Sequence, residues 1–316
     1  MKKIIALLLA VAVIFSLASC GGSMMTMGTG GTAGTYYGYG GILGNQIKQT
    51  TGININVVST DGSKANIIGI DSDNYQLGTV QSDVMSYAWA GTRSFEADGA
   101  VKSFRVIGGL YAEAVQLVTS DPNIKSVADL KGKKVSIGAP GSGVYFNAID
   151  ILNAAGLTEN DIIPQYQSFA DSADNLTNRK IDAAFVVAGA PTPAIQELYT
   201  NGKAHLIDIS GEVASTLLQA SPFYSVYKIP AGTYSGQTEE ITTVTVKATL
   251  IVSANASEED VYNITKAIFD NIDSITAAHA KGAELSLENA TEGITVPFHK
   301  GAAKYFAEKN ITVVSE

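Results

Sequence analysis

Three loops in this 316-residue chain combine glycine with small hydroxyl side chains, and each lies where a strand-like pattern gives way to a helix-like one. They are residues 28–35 (GTGGTAGT), 139–143 (APGSG) and 189–192 (GAPT). Glycine lets backbone N–H groups approach a ligand closely, while the first turn of a helix offers unpaired donors and a partial positive charge. The hydroxyls of Thr29, Thr32, Thr35, Ser142 and Thr192 add further donors. Such loops can hold a carboxylate without an arginine. One loop of this kind is an ordinary strand-to-helix turn; three of them, spread along the chain, predict a cleft.

Other chemistries find less support. Residues 28–35 lack the lysine of a phosphate-binding P-loop. Gly28, Gly30 and Ala33 keep the spacing of a relaxed dinucleotide fingerprint, but no acidic ribose partner is identifiable about 20 residues onward. The three histidines, His205, His279 and His299, show no metal-ligand spacing, and His299 reads as part of a late turn or surface loop. Ser142 lacks the Gly-x-Ser-x-Gly elbow of a serine nucleophile. Glu239-Glu240 and Glu258-Glu259 read as solvated or helix-starting charges. No catalytic residue, metal or cofactor is therefore expected. With 21 basic against 30 acidic residues and a net charge of -9, the chain has no basic stripe for nucleic acid.

The elements that must position these loops alternate. Residues 24–27 read as a strand, 35–49 as a helix stopped by Gly52, 53–58 as a strand of alternating apolar and polar residues, 63–70 as a helix, and 76–80 as a strand. Residues 104–110 and 114–118 read as two further strands. A new unit begins near 120–122; Ser126 caps a short helix through Leu130, 135–138 is a strand, and a helix follows the second loop to about Ala155. Residues 181–187 form a strand before the third loop. The β-branched run 243–254 is long enough to cross between lobes. Ser257 then begins a helix whose face is marked by Val261, Ile264, Ile268, Ile272 and Ile275. Strand, loop and helix in repeated order predict α/β lobes with a mainly parallel sheet.

The first residues carry an address. Lys2 and Lys3 precede the apolar run 4–17, which is shorter than a membrane-spanning helix requires. The run meets 17–20 (LASC), where Cys20 is the only cysteine. This resembles the bacterial lipobox, so residues 1–19 are expected to be a signal peptide and Cys20 a lipid anchor. An exported, monomeric protein is expected, held on the outer face of the cytoplasmic membrane or in the periplasm.

Several motifs occur together: 28–37 (GTGGTAGTYY), 80–84 (VQSDV), 126–143 (SVADLKGKKVSIGAPGSG), 181–193 (IDAAFVVAGAPTP), 229–236 (IPAGTYSG) and 296–299 (VPFH). As an ordered set over about 28–306 they resemble the TAXI family of solute receptors, the extracytoplasmic components of one class of TRAP transporters. The chain departs from that family at Gly38-Tyr39-Gly40-Gly41, where members often carry a proline, and this bears on the first helix start and one pocket wall. The resemblance implies a two-lobed, type II periplasmic-binding-protein-like α/β fold with two interdomain hinge crossings, lobe I being 23–117 plus 249–316 and lobe II 118–248. It implies capture of a small organic anion or amino acid, glutamate-like by preference, and delivery to a TRAP-type membrane permease.

Carried onto this sequence, the resemblance places the pocket at Thr32, Thr35, Tyr36, Gly62, Ser63, Gln81, Ser82, Asp83, Tyr111, Ser142, Gly189 and Thr192. The hydroxyls and loop amides would hold a carboxylate, Gln81 and Asp83 would read the polar or cationic end, and Tyr36 and Tyr111 would form an apolar wall. Two alternatives use the same scaffold: a sensor that presents its ligand to a signalling partner, and an enzyme.

Overall fold

The computed structural model describes residues 23–202 and 204–315. The signal peptide and Cys20 lie outside the described residues.

Strands β1 (Met24–Gly28), β2 (Asn54–Val58) and β3 (Leu77–Gln81) alternate with helices α1 (Thr35–Thr51), α2 (Ser63–Asp71) and α3 (Ser82–Ala90). A long strand, β4 (Phe104–Thr119), follows. Next come β5 (Lys134–Ser136), α4 (Val144–Ala154), β6 (Ile163–Gln165), α5 (Phe169–Thr177), β7 (Ala183–Ala188) and α6 (Pro193–Thr200). Strand β8 (His205–Ile207), α7 (Gly211–Ala220) and β9 (Ser225–Ile229) lead to a second long strand, β10 (Ile241–Ser253). Helices α8 (Glu258–Phe269), α9 (Ile272–Ala278), α10 (Leu287–Thr291) and α11 (Lys300–Glu308) close the chain.

The sheet is mixed rather than mainly parallel. Parallel pairs β1–β2, β1–β3, β5–β6 and β5–β7 lie to either side of β4 and β10, which run antiparallel to each other; β10 is also antiparallel to β3, and β4 to β7. The strands expected at 104–110 and 114–118 are one continuous strand, because residues 111–113 stay extended and Ala112 and Glu113 pair with Lys247 and Val246 in the gap. Short loops return the chain within each half, whereas β4 and β10 pass through both, and this makes the two crossings of a two-lobed fold.

The cores follow the same division. One packs the helices of the first half on β1–β3, with residues drawn from 25–111 and 248–306. The second half has a core on each sheet face. Val115, Leu117, Phe185 and Val187 point to one, while Ala114, Val118, Ala184 and Val186 point to the other, as the period-two alternation of strands requires. Both crossings therefore change core partners over a few residues, between Tyr111 and Ala114 on β4 and between Val246 and Ala248 on β10. A register shift in the β4–β10 ladder between Lys247 and Thr249 falls at the same level. Such irregularities bend a strand locally.

Two further local expectations change. The apolar face expected to run from Val261 to Ile275 belongs to two helices, since α8 ends at Phe269 and α9 begins at Ile272, with Asn271 between them. His299, expected on a late turn or surface loop, is only 4% exposed; its ring accepts a hydrogen bond from the Gly301 N–H and caps α11. The capping boxes read more directly: Ser126 with Asp129, and Ser257 accepting from the Asp260 N–H, stand where the sequence places them.

Candidate functional site

A cavity of about 470 Å³ lies between the two halves of the molecule. Its wall is built mostly from helix starts. Residues Gly30 to Ala33 and Tyr36 come from the loop before α1 and from its first turn; Gly62 and Ser63 begin α2, and Gln81 immediately precedes α3. From the other half, Gly143 and Val144 begin α4, and Ser168 and Phe169 begin α5. Five helices thus turn their N-terminal ends towards one space, where their unpaired N–H groups and partial positive charge favour an anionic group.

The local reasons are specific. Gly62 has φ +103°, a conformation that a side chain strongly disfavours, and the site where its Cβ would sit lies 3.8 Å from Ser142 of the opposite half. The Thr60 hydroxyl donates to the Thr29 carbonyl (2.9 Å) and accepts from the Gly62 N–H (3.1 Å), tying the loop before α1 to the loop before α2. Ser142 folds back on its own loop, its Oγ donating to the Ala139 carbonyl at 2.7 Å. Ser63 Oγ accepts from the Gln81 N–H at 3.1 Å.

Of the twelve residues placed in the pocket from the sequence, Thr32, Tyr36, Gly62, Ser63, Gln81 and Ser142 line this cavity. The other six lie outside its wall. Thr35 donates to the Gly189 carbonyl at 2.6 Å, a buried bond that joins the loop before α1 to the loop before α6. Thr192 accepts from Gln116 Nε2 (2.9 Å), and its N–H donates to the Tyr234 hydroxyl (3.0 Å), which in turn donates to Gln116 Oε1. That network holds the 189–192 loop and gives the 229–236 motif a structural part. The Ser82 hydroxyl accepts from the Lys247 N–H at 3.3 Å. Tyr111 is fully buried, edge-on to Tyr39 at 5.0 Å.

Asp83 belongs to a second polar cluster. The carboxylate accepts from Asn147 Nδ2 at 2.9 Å, and Asn147 Oδ1 accepts from Gln81 Nε2 at 2.5 Å. Asn147 also donates to the Tyr224 hydroxyl at 2.8 Å, so this buried amide of α4 bonds to both sides of the cleft. Burial raises the Asp83 carboxyl to about 6, against the opposing pull of its hydrogen bond from Asn147. At the rim, Arg93 forms an ion pair with Asp150 at 2.7 Å.

The sequence reading missed Glu113 and the segment 167–169. Glu113 lines the cavity from β4, is 1% exposed, and has one carboxylate oxygen, Oε1, without a hydrogen-bond partner in the protein. Burial, reinforced by the negative charge of Asp83, pushes its carboxyl up to about 8; Tyr36 and Lys281 pull in the opposite direction. Tyr36 and Tyr111 are themselves held well above the usual phenol range, first by burial and then by Glu113. One signal was available in the sequence: a lone carboxylate interrupting the apolar run between 104–110 and 114–118. Residues 167–169 carry no comparable mark, because neither glycine nor a charge distinguishes them.

A carboxyl that binds its proton more tightly in the folded protein than in the unfolded chain stabilises the fold at low pH and loses that contribution as pH rises towards its folded pKa. The melting temperature of unliganded wild type relative to Glu113→Gln should therefore fall from pH 5 to pH 8 and level off beyond. Parallel melting curves for the two proteins measure this; parallel pH profiles would refute it.

The described residues contain no helix long and apolar enough to cross a membrane, and no group of three or more acidic, histidine or cysteine side chains placed to hold a metal.

An α/β chain with two crossing strands and a cavity between its halves has the architecture of the two-lobed, type II periplasmic-binding-protein-like fold. Solved structures of that fold align along most of the chain. A protein from Bordetella bronchiseptica RB50 shares 18% identity over 90% of this chain and 89% of its own, with a TM-score of 0.56. The alkanesulfonate-binding protein SsuA from Xanthomonas axonopodis pv. citri, bound to MOPS, shares 15% over 92% of each chain, with a TM-score of 0.51. A putative L-cystine ABC transporter protein from Listeria monocytogenes shares 16% over 84% of this chain and 98% of its own, also at 0.51. These likenesses establish the fold. The model of the NMT1-like family matches residues 27–309, and the chain belongs to that family.

Proposed function

We propose that this protein is an extracytoplasmic receptor that captures a small carboxylate or amino acid in the interlobe cleft and delivers it to a membrane permease. The observation that carries this reading is the cavity at the junction of five helix starts drawn from both halves. A ligand there touches both lobes, and only contacts that are stronger in the closed form can drive closure. In this reading the two rigid bodies are 23–117 plus 249–316 and 118–248. Their hinge is sharper than those limits and sits where core partners change, at 111–114 and 246–248. Thr32 and Ser63, with the loop amides, hold the carboxylate, while Ser142, whose hydroxyl donates to the Ala139 carbonyl, shapes the remainder of the pocket with Gln81 and Tyr36.

The motifs shared with TAXI receptors favour a TRAP-type permease as the partner and a glutamate-like solute as the ligand; Cys20 would keep the receptor at the membrane surface. An ABC-type permease is the second reading, supported by the L-cystine ABC transporter protein among the similar folds.

A thermal-shift and calorimetric screen of delipidated protein against amino acids and dicarboxylates tests the receptor reading. Saturable binding of at least one of them at one site is expected; a screen without a single binder sinks the proposal. Uptake of the binder by vesicles carrying either permease type, with and without the receptor, then decides between the two partners.

A further inference from the structure

We propose that Glu113 is the receptor for a cationic amine on the bound solute, so that the cleft selects zwitterionic amino acids over simple carboxylates of equal size. This inference rests on the receptor reading above and adds the ligand class.

The charge on the cavity wall is one-sided. Asp61 and Glu113 are the ionisable acids that line it, and among the described residues no lysine, arginine or histidine does. Asp61 is exposed, whereas Glu113 lies on a crossing strand, almost fully buried, with Oε1 unpartnered. The groups that face Glu113 from each side are the Tyr36 hydroxyl on α1, Tyr111 two residues away on its own strand face, Asp83 on α3, and Lys281 on the 3₁₀ segment Ala280–Glu284. Lys281 is the only cation among them, and its ammonium is already engaged by Glu284 at 2.5 Å and the Tyr227 hydroxyl at 3.1 Å. Glu113 therefore lacks a close counter-ion of its own.

The same cavity has helix starts suited to a carboxylate. Wall dipoles for a negative group and a buried acid for a positive one form a complementary pair, and a small molecule carrying both charges matches both. A dicarboxylate would bring its second negative group against an acid with no cation to neutralise it. Gln167 Oε1, also on the wall and without a hydrogen-bond partner in the protein, and the Tyr36 hydroxyl beside Glu113 supply further polar contacts for such a ligand.

Proton accounting gives this inference a sign. Burial keeps Glu113 largely protonated near neutral pH in the unliganded protein. An ammonium group stabilises the carboxylate, so ligand binding moves the Glu113 proton to solvent, and the ligand's own ammonium keeps all its protons. A carboxylate placed against Glu113 would instead retain the proton or take one up.

The test is titration calorimetry of the full receptor at pH 7 in two buffers of different ionisation enthalpy, phosphate and Tris. The probes are the common amino acids and, for each of them, the matching 2-hydroxy acid. The expected result is release of close to one proton per amino acid bound, with the 2-hydroxy acid at least about 100-fold weaker. In Glu113→Gln the proton release should vanish and the preference for the amine should shrink to within about tenfold. Equal affinity for a 2-hydroxy acid, proton uptake on binding, or a preference that survives in Glu113→Gln would each overturn the proposal. The proton count and the hydroxy-acid comparison use wild-type protein, so the test does not depend on the variant folding. If 2-hydroxy acids bind and amino acids do not, this inference fails while the receptor reading stands; if neither series binds, both fail.

Discussion

Gly143→Ala should weaken ligand binding about 10- to 100-fold while leaving the melting temperature of the unliganded protein nearly unchanged. Gly143 stands at the start of α4 with φ -75°, so its backbone tolerates a side chain. The obstacle is across the cleft. A Cβ at this position would lie 1.7 Å from Gln81 Oε1 and 2.7 Å from Val84 Cγ2, both in the opposite half. Gln81 cannot swing away freely, since its amide donates to Asn147, and moving it would leave that buried oxygen without its partner. The least costly relief is to part the lobes. Opening spares each core but depletes the closed form that binds ligand, and apparent affinity falls with that population. Calorimetry with any ligand found in the screen, beside a melting curve of the unliganded protein, reads both quantities. Unchanged affinity would show that the lobes do not meet here in the bound form, and a collapse in melting temperature would show that Gly143 packs within a core instead.

Gly301→Ala should act in the opposite way, with a large loss of stability and no direct effect on the cleft. Gly301 lies in the first turn of α11, pressed against the start of α8. A Cβ there would meet the Glu258 carbonyl oxygen at 2.3 Å and the Tyr262 nitrogen at 2.6 Å. Both are main-chain atoms, so no rotamer change can make room; the two helices must separate. That separation disturbs the packing of Val261, Ala302, Tyr305 and Phe306, all buried in the core of the first half. Overpacking against backbone costs about 3 kcal/mol, which for a chain of this size lowers the melting temperature by roughly 5 °C. Below that temperature the variant should bind ligand with wild-type affinity. A melting point within a degree or two of wild type would contradict the packing described here.

Much of the scaffold was legible because its signals are local. Period-two alternation marked β2, and the serines at 126 and 257 marked their caps. Gly52 marked the end of α1, where it adopts φ 79° and its N–H donates to the Lys48 carbonyl. The loops before α1 and α4 were recognisable as ligand loops by glycine and hydroxyl content, and both reach the cavity. The third loop was equally recognisable but is taken up by the Thr35, Gln116 and Tyr234 network. Composition shows that a hydroxyl can bond; it does not show whether a ligand or a distant side chain will occupy it.

The sequence by itself determined many of the element types, the starts of α1, α2, α4 and α8, the acidic balance of charge, and the ordered motifs that point to a receptor. Tertiary structure alone decided that five helix starts share one space, that β4 is a single strand running through both cores, and that Gly143 abuts Gln81, 62 residues away. It also decided that Asp83 turns to Asn147 while Glu113 faces the cavity. The physical reason is that secondary structure follows from interactions between near neighbours in the chain, whereas a charge takes its meaning from what burial places around it. In the sequence Glu113 is one acid among 30. In the fold it is a buried carboxyl on a crossing strand, without a close counter-ion, facing a cavity that both lobes enclose.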